Sequence, residues 1–151
     1  MTAHQIQLRA AAVMLHEGFV LLHRRKGDAF WALPGGRIEA GEDACSALVR
    51  EMHEELSETV DCGELLYVVE NFFSHAGQPH HEIGFYFRAQ FNATSPLLDK
   101  TKRRCGVEAP KQLEFQWFAL DALQVIDLRP PFLREALTQP VLSFQHVVQR
   151  G

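Results

Sequence analysis

A chain of 151 residues suits one ordinary domain, long enough to bury roughly 68–70% of the surface its unfolded form exposes. A composition that is 46% hydrophobic and 23% charged excludes a disordered or fibrous chain. The formal net charge of -4 excludes a global field that would attract a nucleic-acid polymer, so a phosphate ligand must meet local cations or metal ions.

The N-terminal segment "MTAHQIQLRAAAVML" has no basic stretch ahead of a long apolar one and no small-residue cleavage site, and nowhere do about 18 apolar residues run together. A cytoplasmic protein that spans no membrane is expected. Residues 7 to 15, "QLRAAAVML", and 18 to 24, "GFVLLHR", read as two strands joined by the short turn "HEG". The loop "KGDAFWALPGG" and then "RIEAGE" lead into a helix over about 43 to 57, with Asp43 as its N-cap. Ala44, Leu48, Met52 and Leu56 recur every four residues as its buried stripe, widened by Cys45, Ala47 or Val49. Residues 64 to 73, 82 to 91 and 114 to 119 are rich in aromatic and branched side chains and read as strands, with one longer loop over 92 to 112. "PPFLREALTQ", 130 to 139, reads as a second helix with Pro130 or Pro131 in its first turn. The tail after Pro140 reads as an extra strand or an extended arm. No repeat or low-complexity segment interrupts the chain, so one α/β domain covers residues 1 to 151.

Cys45, Cys62 and Cys105 are widely spaced and odd in number, which predicts reduced thiols rather than a disulfide framework or a CxxC metal site. The basic run "KTKRR", 100 to 104, reads as a solvated loop. "SHAGQPHHE" invites a transition-metal reading, but His80 and His81 are adjacent on a strand and point to opposite faces. Trp31, Phe72, Phe73 and Phe85 are candidates for stacking on a base, although strand aromatics more often build a core.

The helix over 43 to 57 breaks a local rule. Positions three and four apart on a helix are neighbours, so Glu51 faces both Glu54 and Glu55, and like charges there repel. A helix of this kind alone is more often a solvated acidic face, but a cation held by the three carboxylates would remove the conflict. Oxygen-only ligands select hard cations, and Mg²⁺ combines a few carboxylates with waters and substrate phosphates. Immediately before the helix, "PGGRIEAGE" places glycines where the backbone can approach a ligand closely.

Gly36, five residues, Glu42, seven residues, then Arg50-Glu51-Met52-His53-Glu54-Glu55 form one fixed-spacing pattern. It resembles the Nudix box, GxxxxxE followed by seven residues and REUxEE, with U a bulky aliphatic. The family pattern continues with Gly and an aliphatic where this chain has Ser57 and Glu58. A left-handed turn at Ser57 costs about 1–2 kcal/mol, so the helix end is open to change while the metal-binding positions are untouched. "LLHRRKGDAFWALPGG" and "LEFQWFALDAL" also look like family segments, extending the resemblance over roughly 7 to 138.

The resemblance implies a Nudix-type α/β/α sandwich around a mixed β-sheet, with the box as a loop-helix-loop motif. It implies hydrolysis of a phosphoanhydride in a nucleoside diphosphate linked to another group, with Mg²⁺ as cofactor and Mn²⁺ as the alternative. Gly36, through its carbonyl, and Glu51, Glu54 and Glu55 would hold metal, one glutamate serving as base. Glu42 would orient the others and Arg50 would pair with a box carboxylate. Arg25 and Arg37 would grip phosphate, and Glu114, or less readily Glu108, would add a carboxylate from across the cleft. A small nucleotide, with a nucleoside triphosphate favoured, is the expected partner, with no membrane and no nucleic-acid polymer; a homodimer stays open. The rival is a catalytically silent Nudix-fold module that binds a nucleotide for regulation.

Overall fold

In the computed structural model, which describes residues 5–108 and 112–151, the run read as one strand over 7 to 15 divides between two sheets. Strand β1, Ile6–Val13, belongs to one, whereas β2, Leu15–His16, turns over Glu17 and Gly18 into β3, Phe19–Arg25, in the other. The remaining elements are β4 (Gly35–Arg37), helix α1 (Ala44–Leu56), β5 (Val60–His75), β6 (Gln78–Phe91), β7 (Arg104–Cys105), β8 (Leu113–Ala119), helix α2 (Leu133–Ala136) and β9 (Gln145–Arg150). Residues 109 to 111 of the loop expected over 92 to 112 lie outside the described residues.

The larger sheet is mixed, in the order β4-β1-β6-β5-β9, with β1 parallel to β6 and β5 parallel to β9. The smaller sheet, β2-β3-β8-β7, is antiparallel throughout. Alternation along β1 sends its residues into two separate cores. Ala10 and Ala12 pack with Leu48, Met52 and Leu56 of α1, together with Phe115 and Trp117 of β8. Ala11 and Val13 pack on the opposite side with Tyr67, Leu123 of a 3₁₀ segment, and Leu133 and Leu137 at α2. The mixed sheet with helices on both sides is the expected α/β sandwich. No helix among the described residues is long and apolar enough to cross a membrane.

Four details depart from or settle the sequence reading. The glycine-rich approach to the helix contains β4, because Gly35 and Gly36 pair with Ala11 and Ala10 through backbone groups alone. The second helix contracts from 130 to 139 to one turn, and the Thr138 hydroxyl and the Gln139 amide both donate to the Glu135 carbonyl at its end. The tail forms a strand, β9, along the edge of β5. Finally, Cys45 and Cys62 form a disulfide across 6.0 Å between Cα atoms, joining the start of α1 to β5. The expectation of reduced thiols is corrected for this pair, because chain folding sets side by side two residues that lie 17 apart in sequence. Cys105 is free and exposed.

Candidate active site

Helix α1 is held at both ends by its own residues. Asp43 caps its start, accepting from the Ser46 N–H at 2.8 Å and the Ser46 hydroxyl at 2.9 Å, and these bonds hold its carboxyl below the ordinary range. Ser57 ends it with φ 56° and ψ 31°, its N–H donating to the His53 carbonyl at 2.8 Å. The left-handed turn is therefore kept without glycine. Glu58, the other departure from the box pattern, accepts a hydrogen bond from the buried Ser95 hydroxyl and so ties the helix exit to the loop after β6.

Arg50 gathers the acidic residues. Its guanidinium donates to Glu42 at 2.7 and 2.9 Å, to Glu51 at 3.1 Å, to Glu54 at 3.2 Å and to the Arg37 carbonyl at 3.1 Å. Glu42 accepts in addition from the Glu39 N–H at 2.9 Å. The Arg50 bonds, then that N–H, pull the Glu42 carboxyl down to about 2. The same partners push the Arg50 pKa further up, the Glu42 bond first. Repulsion along the helix is thus offset by one cation placed among three glutamates.

Gly36 lies against Glu51 so closely that a Cβ there would overlap the Glu51 carboxylate. Glu51 and Glu55 are 6% and 2% exposed and, with Gly36, line a cleft of about 380 Å³. Arg25 and Arg37 line the same cleft, and so do Arg9 and His23, which the sequence reading did not single out. Arg9 donates to the Leu33 carbonyl at 2.9 Å. Glu54 is turned to Arg50 and its side chain is 40% exposed. Among the described residues no three His, Cys, Asp or Glu side chains are gathered as they stand to hold a metal ion. The donor set still fits a hard cation: carboxylate oxygens from one helix face, with the Gly36 backbone drawn against one of them.

Glu114 is not brought to the cleft. Leu113 beside it in β8, and His23 beside its register partner Arg24 in β3, reach the cleft, but Glu114 accepts from Arg24 at 2.9 Å, and Arg24 in turn lies over the Trp31 ring at 4.4 Å. That ion pair holds the Glu114 carboxyl below its ordinary value. Near Glu108, the Val107 N–H donates to the Glu55 carbonyl at 2.8 Å, which docks this segment on the end of α1.

Beside the cleft lies a second cavity of about 550 Å³, sharing Arg9, His23 and Glu82 with it. Phe72 and Phe73 line it, as the reading of base-stacking aromatics allowed, whereas Trp31 is core at 5% exposure. Cavities of 300–1,000 Å³ suit small organic ligands. The cleft and the cavity adjoin at Arg9, His23 and Glu82, with carboxylates and arginines in the first and Phe30, Phe72, Phe73 and Tyr86 among the lining of the second.

Residues 6–139 match the NUDIX domain family. A Bacillus subtilis protein provisionally named ADP-ribose pyrophosphatase YjhB is 36% identical over 69 residues, 45% of this chain and 33% of that protein. Another from the same organism, provisionally named 8-oxo-dGTP diphosphatase, is 47% identical over 47 residues, 30% of this chain and 32% of the other. The chain thus matches about a third of the length of each of these curated relatives. The crystal structure of a MutT NUDIX hydrolase from Burkholderia pseudomallei superposes with a TM-score of 0.64 at 30% identity, covering 91% of this chain and all of that one. Box, sandwich and matched span agree: the chain belongs to the Nudix hydrolase family.

Proposed function

We propose that the protein hydrolyses a phosphoanhydride bond of a small nucleotide, a nucleoside triphosphate in the first instance, with Mg²⁺ or Mn²⁺ as cofactor. The observation that carries this reading is the acidic cleft lined by Glu51, Glu55 and Gly36, adjoined through Arg9, His23 and Glu82 by a cavity of about 550 Å³, within the range that suits small organic ligands. Glu51 and Glu55 with the Gly36 carbonyl, joined by Glu54, would hold the cation. When bound, it would neutralise the anhydride and favour a nucleophile derived from water.

The chain supplies the rest by position and charge. Arg9, Arg25 and Arg37 border the cleft and offer cationic groups to the phosphates. Glu42 fixes Arg50, and Arg50 keeps Glu51 and Glu54 in place. The water's proton would pass to one of Glu51, Glu54 and Glu55, all on one helix. The likeness to relatives with diphosphatase and pyrophosphatase names supports the reaction class.

The test is release of phosphate and pyrophosphate, with and without Mg²⁺, from nucleoside triphosphates, nucleotide sugars, ADP-ribose and dinucleotides. Metal-dependent cleavage of one class supports the reading. Silence across the panel with saturable nucleotide binding would replace it with the regulatory module.

A further inference from the structure

The floor of the larger cavity carries a row of polar side chains that packing does not explain. Strand register places Glu82 opposite Asn71 and Asn71 beside Gln149, so β6, β5 and β9 present three polar residues at one level of the cavity wall, while Gln7, beside Glu82 on β1, lines the adjoining cleft. Leu33, Phe72 and Tyr86 line the same cavity. Asn71 is 9% exposed, and its carboxamide makes no hydrogen bond with any described residue. The Glu82 carboxylate likewise has no hydrogen bond or ion pair among them. Gln149 is engaged, accepting from the Phe132 N–H at 3.1 Å. The Asn71 and Glu82 side chains line the cavity with no protein partner among the described residues, so each can meet a ligand that carries matching groups.

We propose that Glu82 and Asn71 form a reader for a guanine base, so that the nucleotide cleaved is a guanine nucleotide; this rests on the reading of the adjoining cleft as the site of anhydride cleavage. Directly opposed residues of an antiparallel pair have Cβ atoms about 4.5–5.5 Å apart, a span comparable to the polar edge of one base. An ionised carboxylate only accepts, whereas a carboxamide donates and accepts. The pair therefore fits an edge with two adjacent N–H donors followed by an acceptor. Guanine offers N1–H and N2–H₂ to Glu82 and O6 to the Asn71 amide. Adenine and cytosine would turn a ring-nitrogen lone pair toward the carboxylate, and uracil would turn a carbonyl toward it. Phe30, with the Arg129 guanidinium 4.3 Å from its ring centroid, gives the chamber an aromatic wall for the base plane. Glu82 also borders the acidic cleft, so a base held there would lie beside the cleft that Arg9 and Glu51 line.

The deciding experiment is calorimetric binding of GMP, IMP, AMP and CMP to the full chain without metal, for the unaltered protein and for Glu82→Gln and Asn71→Ala, alongside kcat/KM for the corresponding triphosphates with Mg²⁺. The expected result is GMP tightest, IMP weaker through loss of the 2-amino group, and a GMP preference over AMP that falls about tenfold or more in Glu82→Gln. Glu82→Gln is near-isosteric, and an unchanged melting temperature confirms its fold. Equal binding of GMP and AMP, no binding of either, or a preference that survives Glu82→Gln overturns the proposal. Guanine-selective binding with no triphosphate cleaved would sustain the base reader and refute the hydrolytic reading instead, so the two failures are distinct.

Discussion

Replacing Ser57 with glycine tests the helix end directly. Ser57 sits at φ 56° with its N–H on the His53 carbonyl, is exposed, and makes no side-chain hydrogen bond with the described residues. Removing its Cβ relieves about 1–2 kcal/mol of left-handed strain. Against this stands the greater freedom of glycine in the unfolded chain, worth about 0.4–1 kcal/mol. The net gain is about 1 kcal/mol, equivalent to a rise in Tm of about 2–4 °C for a domain of this size. Differential scanning calorimetry at one pH reads this, with kcat/KM measured in parallel and expected to stay unchanged. A Tm that falls would show that serine stabilises the turn by an interaction this reasoning omits, and the strain argument would fail.

Gly36→Ala puts a methyl group where the Glu51 carboxylate lies. Displacing that carboxylate by about 1 Å should lower kcat/KM on the order of 100-fold; steady-state kinetics that match the unaltered protein would refute the close approach as a requirement. Glu54→Gln should remove most metal-dependent turnover, at least about tenfold, while circular dichroism and Tm stay near those of the parent; undiminished turnover would remove Glu54 from the ligand set. In acid the folded state should weaken through Glu42, whose carboxyl is pulled from an ordinary 4.5 to about 2 by Arg50 and the Glu39 N–H. A depressed carboxyl contributes its stability above the unfolded value and loses it as pH falls through the folded one, so Tm should decline between about pH 4.5 and 2. The decline should be shallower in Glu42→Gln, and equal slopes in the two proteins would dismiss the Arg50 pairing as its source.

The box was legible because its information is local. Gly36, Glu42, Arg50 and the glutamates fall in one loop and one helix, where spacing translates directly into a shared face. The same locality made Asp43 readable as a cap. Strand β4 was hidden because Gly35 and Gly36 join the sheet through backbone groups, which side-chain patterns do not report. Asn71 and Glu82 were hidden for a different reason: each follows other polar residues in its own strand, and only register across separate strands sets the two side by side. Glu114 shows the converse, since a carboxylate on a suitable strand reads as a candidate until the alternation places it with Arg24.

Arg50 gives the site an internal counter-charge. Metal centres built only from acidic side chains leave the free protein with unbalanced repulsion, and many small metal-binding domains unfold when chelated. Here one guanidinium already spans Glu42, Glu51 and Glu54 and offsets part of that repulsion within the chain itself. A cation entering this helix competes with a resident arginine rather than filling a void. Should this helix hold a metal ion as proposed, its entry would mean giving up part of an existing ion pair, a trade that substrate phosphates, with their own oxygen ligands, would ease.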